Sequence, residues 1–217
     1  MNFASGENHA GGPQISDNQC STCHTPQGEL EFDASIKGAH VVSTESRMLS
    51  GIVANLVSVT NGAAGKAPMV TFSVKDNSGQ PVPLSQLGAL SLTMAGPNTD
   101  YGNTSFGSDV SSPGYVTESA AAASCGSDGS CSYSFKHSVP ADATGTYSIG
   151  IEARRTETLL PNTTKQMSVT YGAINKVVNF SVDGPTVQPR RLVVDVGNCN
   201  QCHTALTVHG PLRNQTQ

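Results

Sequence analysis

Tryptophan is absent from this chain, aromatic residues make up only 5% of it, and charged residues only 13%. Basic residues are scarce as well, with 12 Lys and Arg against 16 Asp and Glu for a net charge of −4. Phosphate neutralisation needs a basic surface, so nucleic acid is not an expected partner. No run approaches the roughly 20 consecutive apolar residues of a membrane span, so no transmembrane segment is expected either. Disorder throughout is excluded, because valine-rich segments recur from Ile52 to Val182 and can supply a core. What the 217 residues do hold is six cysteines beside six histidines.

Four of those cysteines fall into two copies of one pattern. Cys20-Ser21-Thr22-Cys23-His24 and Cys199-Asn200-Gln201-Cys202-His203 both read C-x-x-C-H, the attachment signature for c-type haem. Two thiols add across the two vinyl groups of one porphyrin, and the adjacent imidazole then lies beneath the iron as its proximal ligand. Random order would give such a match only ~0.005 times per chain of this composition. The two pairs are too far apart for a zinc ribbon and lack the βαβ setting of a thioredoxin-like redox pair. The expected cofactors are therefore two covalently attached haem c groups.

Cys125 and Cys131 stand apart, with five intervening residues and no following histidine. Gly126, Ser127, Asp128 and Gly129 are turn formers that bring the two ends together. A disulfide closing seven residues is worth about 2.4 kcal/mol in the loop-entropy model. Haem attachment implies an oxidising, extracytoplasmic compartment, where such a bond persists, and a disulfide is expected. The opening Met1-Asn2-Phe3-Ala4-Ser5-Gly6-Glu7-Asn8 has no basic region followed by an apolar run, so it is no signal peptide. The expectation is a mature chain or a piece of something longer.

Residues 1–45 are rich in Gly, Asn and Ser around the first motif and read as an irregular haem-binding segment. From 46 to 184 the character changes to period-2 alternation, the mark of half-buried strands. Val70, Phe72 and Val74 alternate with polar residues; so do Leu90, Leu92 and Met94, then Tyr133 and Phe135. Tyr147, Ile149, Ile151 and Ala153 follow, and Val178, Phe180 and Val182 close the series. Turn signals such as Asn61-Gly62 and Asp76-Asn77-Ser78-Gly79 separate these runs. Roughly seven strands with no 3.6-residue period predict a mainly β fold, an antiparallel Greek-key sandwich or split barrel of Ig-like type. Residues 185–217 form a second irregular haem-binding segment, so the β domain is inserted between two haem segments.

His24 and His203 are the proximal iron ligands on this reading. His137 ends a strand on the face of Tyr133 and Phe135 and reads as structural. His9, His40 and His209 each sit in a Gly-flanked segment near a haem motif and are the candidate distal ligands, with His40 the first choice for the haem on Cys20 and Cys23. Met69, Met94 and Met167 read as core. Five candidate histidines exceed the four that two six-coordinate haems require.

Several stretches also resemble a known family. Arg190-Arg191-Leu192-Val193-Val194-Asp195, Cys199 to His203 and Leu206-Thr207-Val208-His209-Gly210 are similar to the outer-membrane decahaem c-type cytochromes of metal-respiring bacteria, the OmcA/MtrC family. So are Asn2 to Gly12 up to Cys20–His24, and Leu30-Glu31-Phe32-Asp33 to His40. The resemblance implies a β domain flanked by the last haem motif of one five-haem cluster and the first of the next. It implies bis-histidine haems and a cell-surface location. It also implies electron delivery to extracellular metal oxides, flavins or other redox partners, alongside other haem domains of the same longer protein or neighbouring subunits. Two of the family's ten haem motifs are present here. An electron carrier, not an enzyme, is the leading reading. An Ig-like interaction or polymerisation module carrying haems, or a haem enzyme with an open iron, are the rival classes.

Overall fold

The computed structural model describes residues 2–99, 105–111, 113–202, 206–207 and 213–214. The chain forms two compact units, Met1–Leu49 and Ser50–Gln217. Residues 185–217, expected as a segment of their own, therefore cluster with the β unit. The physical reason is a pair of anchors described below.

The first unit has no strand among its described residues, and its helices are single turns: α1 (Cys20–Cys23) and α2 (Ile36–Ala39), with 3-10 turns at Asp17–Gln19 and Ser43–Glu45. Short polar residues and glycines favour such caps and turns over longer helices. Ser35 caps α2, its Oγ accepting from Gly38 N at 3.0 Å.

The second unit is built from antiparallel strands. In order they are β1 (Val53–Thr60), β2 (Met69–Lys75), β3 (Leu87–Ala95), β4 (Tyr115–Ser119), β5 (Ser124–Cys125), β6 (Ser130–Ser134), β7 (Thr146–Leu159), β8 (Met167–Gly172) and β9 (Lys176–Ser181). One sheet runs β1-β2-β6-β5; the other runs β4-β3-β7-β8, with β9 also on β7. The long β7 pairs with β9 through Thr146–Ile151 and with β8 through Arg154–Leu159. The two short strands thus share one edge of β7, and Ala173-Ile174-Asn175 turns the corner between them.

The alternation in the sequence sets the core. Phe72, Leu92, Met94, Tyr147, Ile149 and Ile151 are all less than 2% exposed, whereas Thr71, Thr93 and Ser148 between them are half-buried. Tyr147 meets Phe106 edge-to-face at 6.3 Å. The mainly β, two-sheet expectation agrees with this architecture. Nine strands are described where about seven were expected; β1, β4, β5 and β8 lie outside the five alternating runs named from the sequence, and β5 has only two residues. Two methionines differ from expectation. Met69 begins β2 on its outer face and is 40% exposed, and Met167 is half-buried at the start of β8; only Met94 is core. Among the described residues no helix is long and apolar enough to cross a membrane.

Candidate functional site

The first motif is shaped by its own helical turn. Cys20 and Cys23, three apart on α1, share a helix face, and His24 follows with its N–H donating to Cys20 O at 2.8 Å. Both thiols are free; Cys20 is half-buried and Cys23 exposed. His24 Nδ1 lies 2.8 Å from the carbonyl of Ala34. A carbonyl can only accept, so Nδ1 carries the proton and Nε2 keeps its lone pair for a metal.

His9 is delivered by a closed loop. Asn2 N donates to Glu7 O at 3.0 Å, and Gln14 N donates to Phe3 O at 2.7 Å. Gly6 takes a left-handed φ of 75°, and a Cβ there would lie 2.6 Å from Pro13 N, so only glycine closes this loop. His9 Nδ1 donates to Gly12 O at 2.7 Å, and Phe3 packs edge-to-face on its ring at 5.5 Å. The ring centres of His9 and His24 are 6.3 Å apart, with planes inclined at 31°. Two imidazoles on opposite sides of one metal, each nitrogen about 2 Å from it, have ring centres about 6 Å apart. The donor set and its spacing fit a bis-histidine iron.

His40 closes α2, is exposed, and donates from Nδ1 to Ile36 O at 2.7 Å. It carries the same Nε2-presenting tautomer, but the ring that stands against His24 is that of His9. The glycine-closed loop folds His9 back onto the motif, while the helix turn of α2 holds His40.

His137 belongs to a different network. The carboxylate of Glu118, on β4, accepts from Tyr133 Oη at 2.7 Å, from Lys136 N at 3.0 Å and from His137 N at 2.9 Å. It also pairs with His137 Nδ1 at 2.6 Å. Burial works against the Glu118 charge, but these bonds outweigh it and hold the carboxyl below its usual range. Burial and the bond to Glu118 push the Tyr133 hydroxyl up to about 12. The bond to Glu118 raises His137, with Asp109 at 3.2 Å adding to it. Since β4 and β6 lie in different sheets, this cluster stitches one sheet to the other.

The second motif begins at the last residue of α3 (Val196–Cys199), a turn capped by Asp195, whose Oδ1 accepts from Gly197 N at 2.9 Å. Cys199 is half-buried and Cys202 exposed, both as free thiols. His203 and His209 lie outside the described residues. The segment is moored on both sides. Before it, Gln188 N donates to Thr146 Oγ1 at 2.9 Å, and Asn98 Nδ2 donates to Gln188 O at 3.3 Å. After it, Asn214 and Asn175 pair reciprocally, each backbone N–H donating to the other's Oδ1 at 2.8 and 2.7 Å. Both asparagines are buried, and neither was singled out in the sequence, since isolated polar residues carry no periodicity. Cys125 and Cys131 form a disulfide across directly paired positions of β5 and β6. Among the described residues no three His, Cys, Asp or Glu side chains converge as a cation cage.

No family model matches the sequence, and no match is found among curated proteins. Solved structures do match. MtrC from Shewanella baltica OS185 superposes over 100% of this chain with a TM-score of 0.63 at 17% identity. The chain shares its fold with MtrC. The outer-membrane decahaem cytochrome OmcA superposes over 88% of the chain with a TM-score of 0.50 at 16% identity. The chain spans 37% of the MtrC chain and 31% of the OmcA chain, about a third of each.

Proposed function

We propose that the chain is an electron-transfer segment of a multihaem c-type cytochrome working outside the cytoplasm. One haem would be held by Cys20, Cys23 and His24, and a second by Cys199, Cys202 and His203. The observation that carries this reading is the 6.3 Å spacing of the His9 and His24 rings beside the first C-x-x-C-H motif. On this reading Cys20 and Cys23 would make the thioether bonds, and His24 and His9 would each supply a nitrogen ligand to the iron. A haem held in this way supplies one-electron chemistry, its iron alternating between ferric and ferrous. The carbonyls of Ala34 and Gly12 hold the two rings in place, so a change of charge is met without side-chain rearrangement. With both His24 and His9 as ligands, no site would be left for a small molecule, which weighs against an open-iron enzyme at this motif. The likeness to MtrC and to the outer-membrane cytochrome OmcA favours a cell-surface setting and extracellular acceptors such as metal oxides or flavins.

The test is a reductive titration of the chain produced in a host that attaches haem. The account expects two electrons per chain, rapid reoxidation by a soluble ferric chelate, and no carbon monoxide binding at the first motif. A colourless chain of unmodified mass would overturn it.

A further inference from the structure

We propose that Asp33 is a positioning residue that sets the reduction potential of the haem at the first motif. The inference rests on the proposed haem at Cys20, Cys23 and His24. Its starting point is that His24 and His40 are oriented by carbonyls on either side of a single residue. His24 Nδ1 donates to Ala34 O at 2.8 Å, and His40 Nδ1 donates to Ile36 O at 2.7 Å. Between them stands Ser35, only 3% exposed. Asp33 holds it: Asp33 Oδ1 accepts from Ser35 N at 2.8 Å and from Ser35 Oγ, while Oδ2 accepts from Leu30 N at 3.2 Å.

The carboxylate occupies a socket that only glycines leave open. A Cβ on Gly28 would come within 1.8 Å of Asp33 Oδ2, and one on Gly38 within 2.1 Å of Oδ1. The turn is unusual in a second respect, since Phe32 takes a left-handed φ of 62°, uncommon for a bulky residue. Further backbone bonds lock the loop to the motif: Ile36 N donates to Thr25 O at 2.8 Å and Phe32 N to Gly38 O at 3.1 Å. Asp33 thus fixes the direction in which the Ala34 carbonyl points at His24. An imidazole that donates Nδ1–H to a well-aimed acceptor is a more basic ligand and favours the oxidised metal. Loosening that acceptor weakens the donation and raises the potential.

The experiment is spectroelectrochemistry of the two-haem chain carrying Asp33→Asn or Ser35→Ala, with the second haem as internal reference. The first haem is assigned from a Cys199→Ala, Cys202→Ala chain. Asp33→Asn should change the oxidised-to-reduced ratio of the first haem by on the order of tenfold at fixed applied potential. That corresponds to about 59 mV for a one-electron couple, in the direction of easier reduction. Ser35→Ala, which leaves the charge unchanged, should move it in the same direction by less. The second haem should not move. Unchanged potentials in both variants, or equal shifts of both haems, overturn the proposal. If Asp33→Asn fails to load haem, Ser35→Ala decides on the same criterion. A wild-type chain without haem defeats the functional reading itself, so the two failures are distinguishable.

Discussion

His9 is where the structure adds most to the sequence. The two C-x-x-C-H motifs are legible because their spacing is short and needs no fold to be seen. The ring that stands against His24 was not legible in the same way. His9 and His40 both lie in Gly-flanked segments, 15 residues before and 16 after His24, and sequence distance does not separate them. What separates them is the closure of the loop 2–14 at Gly6 and the ring spacing that results. Replacing His9 by alanine should leave the first haem attached but five-coordinate, high-spin and able to bind carbon monoxide. His40→Ala should leave that haem low-spin. Absorption and carbon monoxide difference spectra check both; a low-spin first haem in His9→Ala would return the assignment to another ligand.

Among the elements, the strands with strict alternation, β2, β3 and β7, were legible because one face is buried and the pleat repeats every two residues. β1 hides its pattern, since its register shifts between Leu56 and Ser58. β5 has only two residues, too few for a period. What ties the two sheets at one edge is also invisible as a pattern: Glu118 on β4 reaching Tyr133 and His137. Replacing Glu118 by glutamine removes acceptors from a buried network and should cost about 1–3 kcal/mol. The pH dependence follows from the signs. Glu118 is lowered on folding, so its contribution is complete above the ordinary carboxyl pKa of 4.5 and fades as pH falls through the folded value. His137 is raised, so its contribution is complete below the ordinary imidazole pKa of 6.5 and fades as pH rises through the folded value. Calorimetric melting of the β unit should therefore peak between those pH values. In His137→Asn the alkaline decline should disappear while the acid one persists.

At the scale of the whole molecule, the β unit ties the chain down at several points. The chain reaches it through Ser50, whose N–H donates to Glu157 at 2.9 Å, and through Gly51 N, which donates to Tyr171 Oη at 3.1 Å. It leaves past Gln188 and is tied down again at Asn214, so the second motif is strung between two fixed points on one sheet sandwich. On the proposed reading that arrangement would keep a redox group at set geometry; the fold itself is shared with about a third of each of the longer MtrC and OmcA chains.

The central claim is that His9 and His24 form one axial pair on a haem carried by Cys20 and Cys23. Low-temperature electron paramagnetic resonance of the oxidised Cys199→Ala, Cys202→Ala chain, with its mass measured alongside, tests this most directly. The account predicts one attached haem and a purely low-spin ferric signal of bis-imidazole type, which turns high-spin when His9 is also replaced by alanine. A high-spin signal with His9 intact, or a chain of unmodified mass, would contradict it.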